Sequence, residues 1–281
     1  MKKTPRVAAI HDLTGFGRCS LAVAGPVLSA MGVQCCPMPT AYLSTHPAGF
    51  DGYQTWDMTE QLSGTIAHYE TLGLRFDGVY TGLLFSLDQA ELCIRAAKTL
   101  KAPGGVVVAD PVMGDHGRRY AVCPQELCPA MAELCRRADV ITPNLTEAAL
   151  LLGRDPAEQP ESGEGCLALA GELHRALGCA VVLTGVSAGP GLLGAACCQG
   201  DGRRYFVMER QAPGQCHGTG DIFAAVFTGA LVRGAPLEAA AGRAAAFAAR
   251  CVEHTLALGA PPREGVDLEP LLGLLTPEKD C

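Results

Sequence analysis

Short apolar runs alternate with longer stretches of helical spacing along most of this chain, and that rhythm restricts the fold more than any single motif does. Residues 6–10, 33–40, 77–83, 106–109, 140–142 and 180–185 read as buried strands. Between them, the segment ending at Met31 and residues 52–72, 86–100, 124–137 and 145–152 read as helices, with Ser86 as an N-cap. Strands alternating with helices build a parallel sheet covered on both faces. Residues 194–198 and 203–207 flank Gly200-Asp201-Gly202, a hairpin signal, so the sheet is expected to end in an antiparallel edge. Two apolar helices follow, over 222–232 and 237–258. Residues 153–165 read as an exposed connection and the tail from Pro261 as peripheral, leaving one α/β domain over residues 1–281.

In open parallel sheets, ligands bind beyond the carboxyl ends of the strands. Polar clusters stand there in this chain. His11 and Asp12 begin a glycine-punctuated loop over 11–19, and Ser44 and His46 lie in a second loop, S-T-H-P-A-G-F, over 44–50. Asp110 closes the strand V-V-V-A and Asp115 lies in the loop beyond it, while Thr142, Asn144 and Glu147 follow D-V-I and lead into a helix. Carboxylate and amide oxygens at neighbouring strand ends suit Mg2+, which prefers oxygen ligands and keeps waters when it bridges phosphates. Taken singly, each cluster reads equally well as a loop acid or a helix cap, and His11 as a structural histidine.

The stretch Q-A-P-G-Q-C-H-G-T-G-D-I-F-A-A-V-F-T-G-A-L, over 211–231, turns from loop to helix near Thr219. A helix start exposes unpartnered N–H groups and partial positive charge, so phosphate is a natural occupant. Gly218 and Gly220 leave the backbone open to an anion, and Asp221 falls in the first turn, placed to accept a proton from an attacking hydroxyl.

Composition narrows the partners. The formal charge of -7 leaves no basic stripe for nucleic acid or an anionic membrane, which points to small-molecule ligands. The apolar run before His11 is too short for a secretory leader, and no stretch approaches the ~20 apolar residues of a membrane helix, so a cytoplasmic location is expected. The 14 cysteines show no C-x-x-C spacing and are expected to be reduced and mostly buried, with Cys281 the reactive exception.

Four motifs, in order, carry a resemblance: D-P-V-M-G-D at 110–115, I-T-P-N-L-T-E at 141–147, V-V-L-T-G at 181–185 and G-T-G-D at 218–221. Together they make the chain similar to the ribokinase-like vitamin kinases, most closely the pyridoxal (pyridoxine, pyridoxamine) kinase family. The resemblance implies a three-layer α/β/α ribokinase-like fold with a mostly parallel sheet, ATP as donor, and phosphorylation of a pyridine hydroxymethyl group. By matching position it implies Asp221 as catalytic base and Gly218, Thr219 and Gly220 as anion hole. It implies Asn144, Glu147 and Thr184 near the nucleotide, Asp115 and Glu147 on Mg2+, and Asp110, Thr142 and Thr184 around a monovalent cation, K+ or Na+. His11, Asp12, Ser44 and His46 would line the substrate pocket, and a homodimer is the family's usual state.

The departures fall in that pocket. Ile10 stands where relatives carry serine, S-T-H-P-A-G-F replaces S-N-H-T-G-Y so that Pro47 or Ala48 stands for a threonine, and Leu83 replaces a tyrosine. Asp12, outside the usual pattern, would favour a substrate with a charged amine. The rival readings are a hydroxymethylpyrimidine kinase, which by resemblance carries cysteine at the position of Asp221, a sugar kinase, whose acid-rich clamp is missing, and a non-catalytic vitamer binder.

Overall fold

The computed structural model describes residues 3–47, 49–214 and 216–277, so the expectations placed on Ala48 and Cys281 lie outside the described residues. In chain order the elements begin with β1 (Arg6–Phe16), α1 (Ser20–Ala30), β2 (Gln34–Thr45), β3 (Thr55–Asp57), α2 (Thr59–Thr71), β4 (Phe76–Thr81), α3 (Leu87–Thr99) and β5 (Lys101–Ala109). A small hairpin of β6 (Gly114–Asp115) and β7 (Arg118–Arg119) follows, then α4 (Leu127–Cys135), β8 (Val140–Ile141), α5 (Leu145–Leu151) and α6 (Gly163–Leu177). The chain continues with β9 (Ala180–Gly189), β10 (Leu192–Cys198), β11 (Arg204–Arg210), α7 (Thr219–Val232) and α8 (Leu237–Leu258), and two 3-10 turns close it.

Nine strands form one sheet in the order β11-β10-β9-β8-β5-β4-β1-β2-β3. Neighbours from β9 to β2 are parallel, and both edges are antiparallel. The hairpin signal around Gly200-Asp201-Gly202 accounts for the β10–β11 edge. Two apolar cores lie on opposite faces. One packs α2 to α6 through residues such as Leu62, Leu84, Leu134 and Leu173, the other packs α1, α7 and α8 through Leu28, Phe227 and Ala244. This is the three-layer α/β/α arrangement that the resemblance implied.

Several readings need correction. The helix expected over 52–72 begins only at Thr59, because residues 55–57 pair with β2 as a strand. The loop expected over 11–19 is largely strand, because β1 shifts register between His11 and Leu13 and then pairs onward with β2 as far as Phe16 and Thr45. Such a bulge admits an extra residue and bends the strand, turning the ends of β1 and β2 into a flap that β3 extends. The connection after Gly153 is shorter than expected, since Ser162 caps α6 by accepting from the Gly165 N–H. The tail is not peripheral either: Val266, Leu268 and Leu275 are buried in the second core. Among the described residues, no helix is long and apolar enough to cross a membrane.

Truncating a fully buried leucine removes its transfer free energy and leaves a cavity. Leu268→Ala is therefore expected to lower unfolding free energy by about 2–5 kcal/mol in a urea titration, whereas a peripheral tail would leave the midpoint unchanged.

Candidate active site

Because β1, β4, β5, β8 and β9 run parallel, their carboxyl ends share one edge of the sheet, and the start of α7 arrives at that edge. Gly218 is the N-cap of α7 with φ of 84°, a left-handed conformation that disfavours other residues. A Cβ on Gly218 would also run into the Arg18 carbonyl oxygen, whereas one on Gly220 would stand in open space. The first position is thus fixed by packing, and the second leaves room over the helix start. Thr219 directs its hydroxyl into the preceding turn, donating to the Cys216 carbonyl at 2.8 Å.

A distant segment secures this loop. The Arg18 N–H donates to the Glu264 carbonyl at 3.1 Å, and the Val266 N–H donates to the His217 carbonyl at 3.1 Å. Residues 264–266 therefore lace the end of the β1 flap to the glycine loop. The sequence reading missed them, since nothing in their composition distinguishes a docked tail from a loose one.

Asp221 lies in the first turn of α7, and its Oδ1 is 3.2 Å from His11 Nε2. His11 Nδ1 is 2.8 Å from Asp12 Oδ1. Burial opposes charge on His11, but hydrogen bonds to Asp12 and Asp221 outweigh it and push the histidine up to about 10. The ring occupies space that a side chain at residue 82 would need, which makes Gly82 a functional residue overlooked in the sequence. Its position directly after a strand end was the available signal.

Three further acids stand at neighbouring strand ends. Thr142 donates its hydroxyl to Asp110 Oδ1 at 2.9 Å; burial and then Asp221 nonetheless push Asp110 up to about 7. Burial and then Asp110 hold Glu147 well above the usual carboxylate range, even though it accepts the N–H groups of Asn144 at 2.8 Å and Met113 at 3.2 Å. Asn144 caps α5 by accepting from the Glu147 N–H and donates to the Gly114 carbonyl, both at 2.9 Å. That bond places the hairpin carrying Asp115, whose carboxylate is half exposed. Thr184 bridges to Asn144 and donates to the Pro143 carbonyl at 3.3 Å. Burial raises the Tyr120 phenol, and Glu147, Asp115, Asp221 and Asp110 all raise it further, so one hydroxyl feels all four carboxylates.

The remaining expected residues lie elsewhere. Ser44 accepts from the Gln54 N–H at 2.9 Å and so braces the flap hairpin. His46 donates from Nε2 to the Arg263 carbonyl at 2.6 Å, packed beside Phe50 and His217, and so ties the flap to the tail. Asp12 is 2% exposed and faces His11 and Thr14, which leaves no free carboxylate for a substrate amine.

The donor set can be tested against a divalent cation. Among the described residues, no three His, Cys, Asp or Glu side chains cluster closely enough to hold a metal unaided. Both Glu147 oxygens already accept backbone N–H groups, so Glu147 would reach an ion through water. The raised Asp110 and Glu147 are crowded like charges that a cation relieves. Oxygen donors acting largely through water, beside a phosphate cradle, fit Mg2+.

Comparisons with known proteins bear on the family and the fold. Residues 27–264 match the family model described as phosphomethylpyrimidine kinase. A Bacteroides thetaiotaomicron protein crystallised with pyridoxal is 36% identical, with a TM-score of 0.90 and coverage of 99% of this chain and 98% of that one. The pyridoxal kinase of Lactobacillus plantarum is 32% identical, with a TM-score of 0.88 and coverage of 98% and 97%. Pyridoxal kinase PdxY of Pseudomonas fluorescens is 28% identical over 179 residues, an alignment spanning 60% of this chain and 59% of that relative.

The raised Asp110 makes a signed prediction. Its folded pKa of about 7 lies above the unfolded value of 3.8, so the folded state binds the proton more tightly and stability falls as pH rises across that window. Asp110→Asn is expected to raise the melting temperature of the ligand-free protein at about pH 8 and to change it little at about pH 4.

Proposed function

The chain belongs to the phosphomethylpyrimidine kinase family, and on that premise we propose that it transfers the γ-phosphate of ATP to the 5'-hydroxymethyl group of a B6 vitamer: pyridoxal, pyridoxine or pyridoxamine. The observation that carries this reading is Asp221 at the left-handed glycine start of α7, on the sheet edge where Asp110 and Glu147 also stand.

In this reading Asp221 draws the proton from the acceptor hydroxyl, using Oδ2, since Oδ1 faces His11. The N–H groups at Gly218, Thr219 and Gly220 stabilise charge on the moving phosphoryl group, and their fixed geometry removes the need to reorganise during transfer. Asn144, Glu147 and Thr184 line the approach to the nucleotide phosphates. Mg2+, held through water by Asp115 and Glu147, would neutralise the donor phosphates. Asp110, Thr142 and Thr184 would hold a monovalent cation, K+ or Na+: the Thr142 hydroxyl donates to Asp110 and the Thr184 hydroxyl to the Pro143 carbonyl, so both hydroxyl oxygens keep lone pairs free. His11, Ser44 and His46 act on the substrate indirectly, through the base and the shape of the flap.

The family description names a pyrimidine, so the rival reading is a kinase of that series, with hydroxymethylpyrimidine as the acceptor that presents a free alcohol. A screen of ATP consumption over pyridoxal, pyridoxine, pyridoxamine and hydroxymethylpyrimidine tests the proposal. The highest kcat/KM is expected for a B6 vitamer, and preference for the pyrimidine would replace it. Asp221→Ala is expected to lower kcat about 10²–10⁴-fold with little change in nucleotide binding, and near-normal turnover in that variant would remove Asp221 from the role of base.

A further inference from the structure

Behind the reacting groups runs a buried chain of side chains, from Asp12 through His11 to Asp221. His11 and Asp12 are 1% and 2% exposed, so they reach a substrate only through Asp221. The imidazole is closely confined. Its flat face lies against Gly82, the Tyr80 ring meets it edge-on at 6.0 Å, and each ring nitrogen faces a carboxylate. The second Asp12 oxygen accepts from the Thr14 hydroxyl at 3.2 Å, so Asp12 is itself held.

The protonation of this ring follows from its neighbours. A ring nitrogen 2.8 Å from a carboxylate oxygen shares a proton with it, because two lone pairs repel at that distance. A neutral imidazole supplies one such proton, and an imidazolium supplies both. The N–H groups of Asp12 at 2.9 Å and Leu83 at 3.2 Å also point towards Nδ1 and favour an unprotonated nitrogen, but Asp12 Oδ1 is closer than either and charged. The other titratable groups facing this region are Asp110 from β5, Tyr80 from β4 and Cys19 at the start of α1. None is cationic. The electrostatic balance therefore favours a positive ring, in accord with the upward shift of His11 and the lowered Asp12, whose burial is outweighed by its bonds to His11.

We propose that His11 and Asp12 are positioning residues for phosphoryl transfer: Asp12 holds His11 as an imidazolium, and His11 anchors Oδ1 of Asp221 so that Oδ2 faces the acceptor hydroxyl. The role differs from the ring-binding and amine-binding parts that position in the sequence suggested. It rests on Asp221 being the base. It also explains why a charged residue follows His11 at the β1 bulge: the change in strand register there turns Asp12 into the protein, behind the histidine.

Two measurements test the proposal. In ligand-free protein labelled with 15N-histidine, one imidazole is expected to stay protonated on both nitrogens at about pH 8.5, two units above an ordinary histidine. That signal should vanish in His11→Gln, and in Asp12→Asn the same ring should titrate at lower pH. In steady-state kinetics, His11→Gln is expected to lower kcat about 10–100-fold, the scale on which a group orienting another acts, with KM for ATP little changed. Losing a positive charge beside the base should also move the acid limb of the pH–rate profile up by about one unit, because the protonated base is then less disfavoured. Asp12→Asn should shift both readouts in the same direction but less, and it serves as the test should His11→Gln fail to fold. A His11 ring protonated only at Nε2, or His11→Gln with unaltered kcat and pH profile, would overturn the proposal. Because the spectrum needs no turnover, a doubly protonated His11 in a protein whose Asp221→Ala variant stays active would refute the base and not the ion pair.

Discussion

Repulsion among carboxylates at one edge of the sheet is the constraint around which this structure is organised. Parallel strands bring their carboxyl ends together, so Asp110, Asp115, Glu147 and Asp221 converge and all raise the Tyr120 phenol after burial. Such a cluster is costly without positive charge nearby. The chain relieves three of them differently: Asp221 by His11 and the start of α7, Glu147 by two backbone N–H groups, Asp110 by the Thr142 hydroxyl, while Asp115 is half exposed to water. Asp110 and Glu147 remain raised after that relief, which makes them the groups with most to gain from a bound cation.

Positive potential at the start of α7 is useful only if the loop before it is held in one conformation. Gly218 reaches its left-handed geometry against the Arg18 carbonyl, and residues 264–266 clamp both sides of that contact. Arg18 also pairs with Asp267 at 3.2 Å and with Glu269, 251 positions away in sequence. Partly exposed pairs of this kind contribute little to stability. Burial of Val266 and Leu268 contributes more, so the tail is held by its apolar side and sets the loop with its backbone.

Much of this was readable from the residues, for reasons that differ by element. The β10–β11 hairpin and the Ser86 cap follow from local turn and capping chemistry, and both stand where expected. The order of strands and helices follows from hydrophobic period, which survives without tertiary information. The extension of β1 past His11 was not readable, because it needs β2 as a partner and a register shift that leaves no mark on composition. Asp12 illustrates the same limit. Its identity announced a charge near the ring pocket, but only the bulge decided that the charge points inwards at His11.

The sheet edge and the flap are two parts of the structure that can vary separately. On the proposed function, acceptors that present the same hydroxymethyl group would look alike to a base at Asp221. Discrimination would then fall to surfaces beside the acceptor ring, and the flap carries exposed aromatic side chains: Phe16, Tyr42 and Trp56 are exposed on β1, β2 and β3, and Phe50 packs between Phe16 and His46. The departures from the usual vitamin-kinase pattern at 44–50 fall in that same region, while the four motifs on the sheet edge are intact. The bond from His46 to the Arg263 carbonyl ties the flap to the segment that clamps the glycine loop. A change in the flap would therefore reach the glycine loop through the backbone of residues 263–266.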